Sequence, residues 1–122
     1  MSVAILRQGD YLIASIQSDL SDSQIVALRE DLAERVGRHR ARGIVVDVAA
    51  LDVIDSFVAR SLRSIALTAK LRGAAMVLVG IQPDVAIAMV QFHLNLEPLR
   101  AVLDLDEALA LLDAMRDGED GG

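Results

Sequence analysis

Apolar residues in this chain fall into short unbroken runs and longer stretches where they recur every three or four positions. Residues 3–7 and 11–17 predict two strands, with Gly9-Asp10 between them as a hairpin turn. Ser21-Asp22-Ser23-Gln24 then has the form of a capping box, Ser21 as N-cap and Gln24 reaching back. Behind it Ile25, Leu28, Leu32 and Val36 make one apolar helical stripe, with Arg29, Glu30, Glu34 and Arg38 on the other face and Gly43 as the stop. The β-branched run 44–48 shows no alternation and predicts a central strand covered on both faces. A second helix follows to about Arg72, with Val58, Leu62, Ile65 and Ala69 inward, Arg60, Arg63 and Lys70 outward, and Gly73 ending it. Residues 75–79 form another buried strand, and Gly80-Ile81-Gln82-Pro83 turns into a third helix reaching about Leu94. Val85, Ile87, Met89, Val90, Phe92 and Leu94 surround nearly its whole circumference, so this helix is either buried or awaiting a partner. A short edge strand at 101–103 and a capping-box form, Asp104-Leu105-Asp106-Glu107, open a last helix carrying Leu109, Leu112 and Met115.

The order ββαβαβαβα predicts an α/β fold. It is a single domain with a mostly parallel mixed sheet of four to five strands, about four helices and an antiparallel first hairpin. A length of 122 residues fits one domain. Hydrophobic residues make up 53% but aromatics only 2%, so aliphatic side chains must fill the core and a base-stacking nucleic-acid surface is disfavoured. The apolar stretch at the N-terminus is too short for a signal peptide and no run approaches a membrane span, so the expectation is a cytoplasmic protein without membrane or nucleic-acid partners. The net charge of −6 is concentrated: from Asp104 to Gly122 seven acids face Arg116 alone, while the preceding residues hold eleven acids and eleven bases. Residues 3–115 are therefore expected to form the domain and 116–122 a disordered acidic tail.

Chemistry has few footholds. The chain has no cysteine, and its two histidines, His39 and His93, read as a solvated helix end and a capping or interface residue. Neither a nucleophile elbow nor a glycine-rich phosphate cradle is present, which argues against an enzyme and against catalytic, metal or cofactor sites. A phospho-accepting receiver would place its acceptor at Asp47, but the acidic pair that binds its metal is replaced by the turn Gln8-Gly9-Asp10. The remaining constellation is Asp52-Val53-Ile54-Asp55-Ser56-Phe57 at the start of the second helix. Asp55 or Ser56 serves there as an N-cap. Alternatively Ser56 is a phosphorylation switch, with Arg60 one turn on to help hold the phosphate. A phosphate would add about −1.5 to −2 charges beside Asp52 and Asp55, changing which surface can dock rather than unfolding the domain.

Three segments, Asp52 to Phe57, Ala69-Lys70-Leu71-Arg72-Gly73-Ala74 and Gly80-Ile81-Gln82-Pro83-Asp84-Val85-Ala86, together resemble the STAS domain family, more narrowly its small single-domain RsbS type, over residues 3–115. The resemblance implies a stressosome scaffold and anti-sigma factor antagonist that self-associates in a large cytoplasmic assembly with RsbR-like sensor paralogues. It further implies sequestration of an RsbT-like serine/threonine kinase, its release on phosphorylation of Ser56, and a phosphatase that resets this serine. Asp52, Asp55, Phe57, Arg60, Arg63 and Gln82 are then the expected partner-binding residues, and no cofactor is implied. The alternatives are a direct anti-anti-sigma factor binding a sigma-sequestering kinase, and a receiver-like or ligand-binding module.

Overall fold

The computed structural model describes residues 3–97 and 99–121. β1 (Val3–Gln8) and β2 (Tyr11–Ile16) pair antiparallel, Gln8 opposite Tyr11, across a two-residue turn in which Gly9 takes φ +58°. Glycine at the first turn position meets that backbone requirement without strain. α1 (Asp22–His39) opens on the expected capping box: Ser21 Oγ accepts from the Gln24 amide at 3.3 Å and Gln24 Oε1 from the Ser21 amide at 2.8 Å. β3 (Gly43–Asp47), α2 (Ser56–Leu71), β4 (Ala75–Val79), α3 (Pro83–Gln91), β5 (Arg100–Val102) and α4 (Leu105–Gly121) complete the chain. The five strands lie in the order β1-β2-β3-β4-β5, every pair after the hairpin parallel.

The sheet divides two apolar clusters. On one face Leu12, Ala14, Ile44, Val46 and Leu78 pack with Leu28 and Leu32 of α1 and Leu62 and Ile65 of α2. On the other, Tyr11, Ile13, Val45 and Val77 meet Ala108 and Leu112 of α4. β3 and β4 are thus buried on both sides, as their mostly apolar, non-alternating sequences require.

Strand bounds shift by a residue from the sequence reading, and the ends of α1, α3 and α4 depart from it further. Gly43 does not stop α1: the helix turns at Arg40 (φ +51°), and the Ala41 amide donates to Val36 O at 3.1 Å. Buried Ala41 beside buried Val36 gives this turn the apolar contact that commonly accompanies such caps, which lets a non-glycine residue hold the left-handed conformation. Gly43 instead lies inside β3, where a Cβ would come within 2.9 Å of both Leu112 methyls. α3 ends at Gln91 rather than Leu94, because His93 (φ +56°) closes it with the Leu94 amide on Met89 O at 2.9 Å. α4 continues past Met115 to Gly121, so no break in secondary structure marks the expected start of a tail at residue 116; Gly122 lies outside the described residues.

Arg116 belongs to the folded unit. It lies over the Tyr11 ring, 5.8 Å from the centroid, and pairs with Asp10 at 3.4 Å and Asp113 at 3.5 Å. The Tyr11 hydroxyl donates to the Asp113 carboxylate. This cluster fastens α4 to the first hairpin.

Candidate functional site

Because β3, β4 and β5 run parallel and each feeds a helix, α2, α3 and α4 all begin at the same end of the sheet. Acidic side chains stand at each of those starts: Asp55 before α2, Asp84 in the first turn of α3, and Asp104 and Asp106 at α4. Carboxylates complement the positive ends of the helix dipoles there.

The segment from β3 to α2 is pinned from beneath. Leu51 and Ile54 are buried, while Asp52 and Val53 between them are exposed. Asp47 Oδ1 accepts from the Ala49 amide at 2.9 Å, and Gln82 Nε2 donates to Ala49 O at 2.6 Å. Gly80 (φ +82°) lies so close to Ala49 that a Cβ would approach its methyl to 2.9 Å. The start of α3 therefore braces the loop that precedes α2.

At the head of α2 the structure decides which of the two residues caps the helix. Asp55 is the N-cap, its Oδ1 accepting from the Val58 amide at 2.8 Å. Ser56 is the first helical residue, exposed, and its hydroxyl has no hydrogen-bond partner among the described residues. Phe57 is half-buried beside it, and Arg60 is exposed one turn along, also without a partner among the described residues. Asp52, Asp55, Ser56 and Arg60 thus share one open surface.

The other two expected contact residues are engaged within the chain. Arg63 Nε donates to Glu97 O at 3.1 Å, tying α2 to the segment before β5, and Gln82 holds Ala49. The bracing roles of Ala49, Glu97 and Gly80 are invisible in the sequence, since each depends on a chain segment about 30 residues away; only the glycine itself hinted at a close approach.

Of the two readings open for α3, buried or awaiting a partner, the structure leaves part of its apolar circumference exposed. Val85 and Met89 are buried, but Val90 and Phe92 are 77% and 73% exposed and Ile87 is exposed beside them. No helix among the described residues is long and apolar enough to cross a membrane.

The sequence profile of the STAS domain matches residues 2–108, and the chain belongs to that family. It is similar throughout to a serine-to-glutamate form of RsbS from Moorella thermoacetica: 32% identity over 96% of this chain and 99% of that one, with a TM-score of 0.80. A chain from the stressosome, described as a signal integration and transduction hub, is 31% identical over 93% of this chain and 98% of its own length, with a TM-score of 0.72. The RsbT co-antagonist protein RsbRA of Bacillus subtilis is 29% identical over 69 residues, 57% of this chain. The chain spans about a quarter of the length of that curated relative.

Proposed function

We propose that this protein is an RsbS-like stressosome scaffold and antagonist, which sequesters an RsbT-type serine/threonine switch kinase and releases it when Ser56 is phosphorylated. The observation that carries this reading is the division of labour at α2: Asp55 caps the helix, leaving the exposed Ser56 hydroxyl without a structural duty. Similarity over nearly the whole chain to RsbS and to a stressosome chain supports the same reading. The chain acts as a binding protein rather than an enzyme, in the cytoplasm. RsbR-like sensor paralogues co-assemble with it, and a phosphatase resets Ser56.

The physical basis of release is local charge. A phosphate on the first helical residue gains from the helix dipole, a favourable term of up to about 1 kcal/mol at an exposed site. It also adds about −1.5 to −2 charges beside Asp52 and Asp55. A partner docked over these groups must desolvate that charge, which costs several kcal/mol when no cation pairs with it. The fold tolerates the modification and the complex does not. Asp52, Asp55, Phe57 and Arg60 form the contact surface, while Arg63 and Gln82 hold it in shape.

The test uses the cognate kinase with ATP. One phosphate is expected per chain, and Ser56→Ala abolishes its incorporation while leaving the circular dichroism spectrum unchanged. Phosphate incorporated chiefly elsewhere removes the assignment. Native mass separates this reading from a direct anti-anti-sigma factor: the kinase is captured within a large particle in the first case and in a small binary complex in the second.

A further inference from the structure

At the opposite end of the sheet from Ser56, a cleft of about 150 Å³ opens between the C-terminal part of α2, the starts of β4 and β5, and α4. Its charged lining residues among those described are Arg42, Lys70, Arg100 and Arg116, and no acidic side chain among the described residues lines it. Its floor is apolar, built from Met76, Leu99 and Leu112. Four cations gathered in one cleft contrast with a chain whose net charge is −6.

The cations differ in their engagements. Arg116 already pairs with Asp10 and Asp113, and Arg42 is engaged as well. Lys70 and Arg100 are exposed and have no ion-pair or hydrogen-bond partner among the described residues. Like charges placed together repel, so an arrangement of this kind gains from an anion entering between them. The buried floor adds a demand that a bare inorganic ion does not meet, because apolar surface is better covered by a compact hydrocarbon or ring. A cavity near 150 Å³ admits a group about the size of benzene.

We propose that this cleft binds a small organic anion, a carboxylate or phosphate monoester with a compact apolar body, its charged head toward Lys70 and Arg100 and its body over Met76 and Leu112. The site shares only the α2 helix with the Ser56 surface and does not depend on the partner-switching reading.

Amide NMR shifts of the full chain, titrated with benzoate, benzamide and inorganic phosphate at low and high salt, test this directly. Benzoate is expected to shift the amides of Lys70, Gly73, Ala75 and Arg100 saturably, more tightly than either other probe and more weakly in high salt. Replacing Lys70→Gln and Arg100→Gln together raises its Kd by roughly three- to tenfold, the effect of losing two exposed charge contacts. Lys70→Arg with Arg100→Lys, which keeps both charges, largely restores it. Equal binding of benzamide means an apolar hole without anion selectivity, and equal binding of phosphate means diffuse surface charge; either overturns the proposal, as does the lack of saturation with benzoate.

Discussion

At the scale of single residues, adjacent positions in this protein carry separate duties. Asp55 holds the helix and Ser56 faces outward, so their substitutions have opposite signatures. Asp55→Ala is expected to lower stability by about 1 kcal/mol, the usual cost of a lost N-cap. Ser56→Ala should change it by a few tenths at most, the range of exposed substitutions without structural contacts. Urea denaturation of both variants checks the contrast. Tyr11 offers a test of a different kind. Burial, chiefly, together with its hydrogen bond to Asp113, pushes its hydroxyl pKa up from 10.0 to about 12. A phenol whose pKa rises on folding favours the native state while protonated. This contribution is complete below pH 10 and lost as the pH climbs toward 12. Because the hydroxyl end opens on a surface cleft, the loss is on the order of 1–2 kcal/mol rather than the full linkage value. Alkaline denaturation should therefore be shallower over that interval in Tyr11→Phe than in the parent.

The elements show what the sequence discloses and what it withholds. Non-alternating apolar runs such as 44–46 disclose doubly covered strands because burial on both faces leaves no room for polar alternation, and the capping box before α1 is explicit in Ser21 and Gln24. Gly43 misled because a glycine after a helical stripe signals a stop by local rules. Its actual constraint is the Leu112 side chain, almost seventy residues later, pressing on the strand. Gly43→Ala is accordingly expected to cost about 1–3 kcal/mol through overpacking. Combined with Leu112→Ala, itself worth about 2–5 kcal/mol, it should cost less than the sum. A double-mutant cycle in denaturant measures this directly. The same limit applies to the candidate site: the segment 52–57 was readable as a helix start with a hydroxyl, but the choice between Asp55 and Ser56 as cap depended on backbone geometry. Arg63 and Gln82 read as partner-binding residues, and their intrachain acceptors, Glu97 O and Ala49 O, are not legible in the sequence because they are backbone atoms far off along the chain.

For the whole molecule, the two ends of the sheet differ in electrical character. Three helix starts with their carboxylates occupy one end and the cationic cleft the other, so long-range steering at the Ser56 end favours partners with basic surfaces. α3 also keeps an exposed face, and Ile87, Val90 and Phe92 give it the apolar character of an assembly contact. Under the scaffold reading, Val90→Asp with Phe92→Ser should reduce the native mass formed with the sensor paralogue while leaving unfolding of the isolated chain within about 0.5 kcal/mol, as for other exposed sites. Light scattering together with denaturation separates these outcomes; an unchanged particle would exclude α3 from the contact.

The brace from Gln82 to Ala49 carries one further implication. Since the start of α3 buttresses the loop entering α2, Ser56 is presented on a preformed platform, and under the scaffold reading a kinase would meet its target without first having to order it. Recognition then costs little chain entropy, so the mark can be written and erased repeatedly at speed. Severing the strut with Gln82→Ala should slow the modification of Ser56 while leaving the serine itself chemically intact.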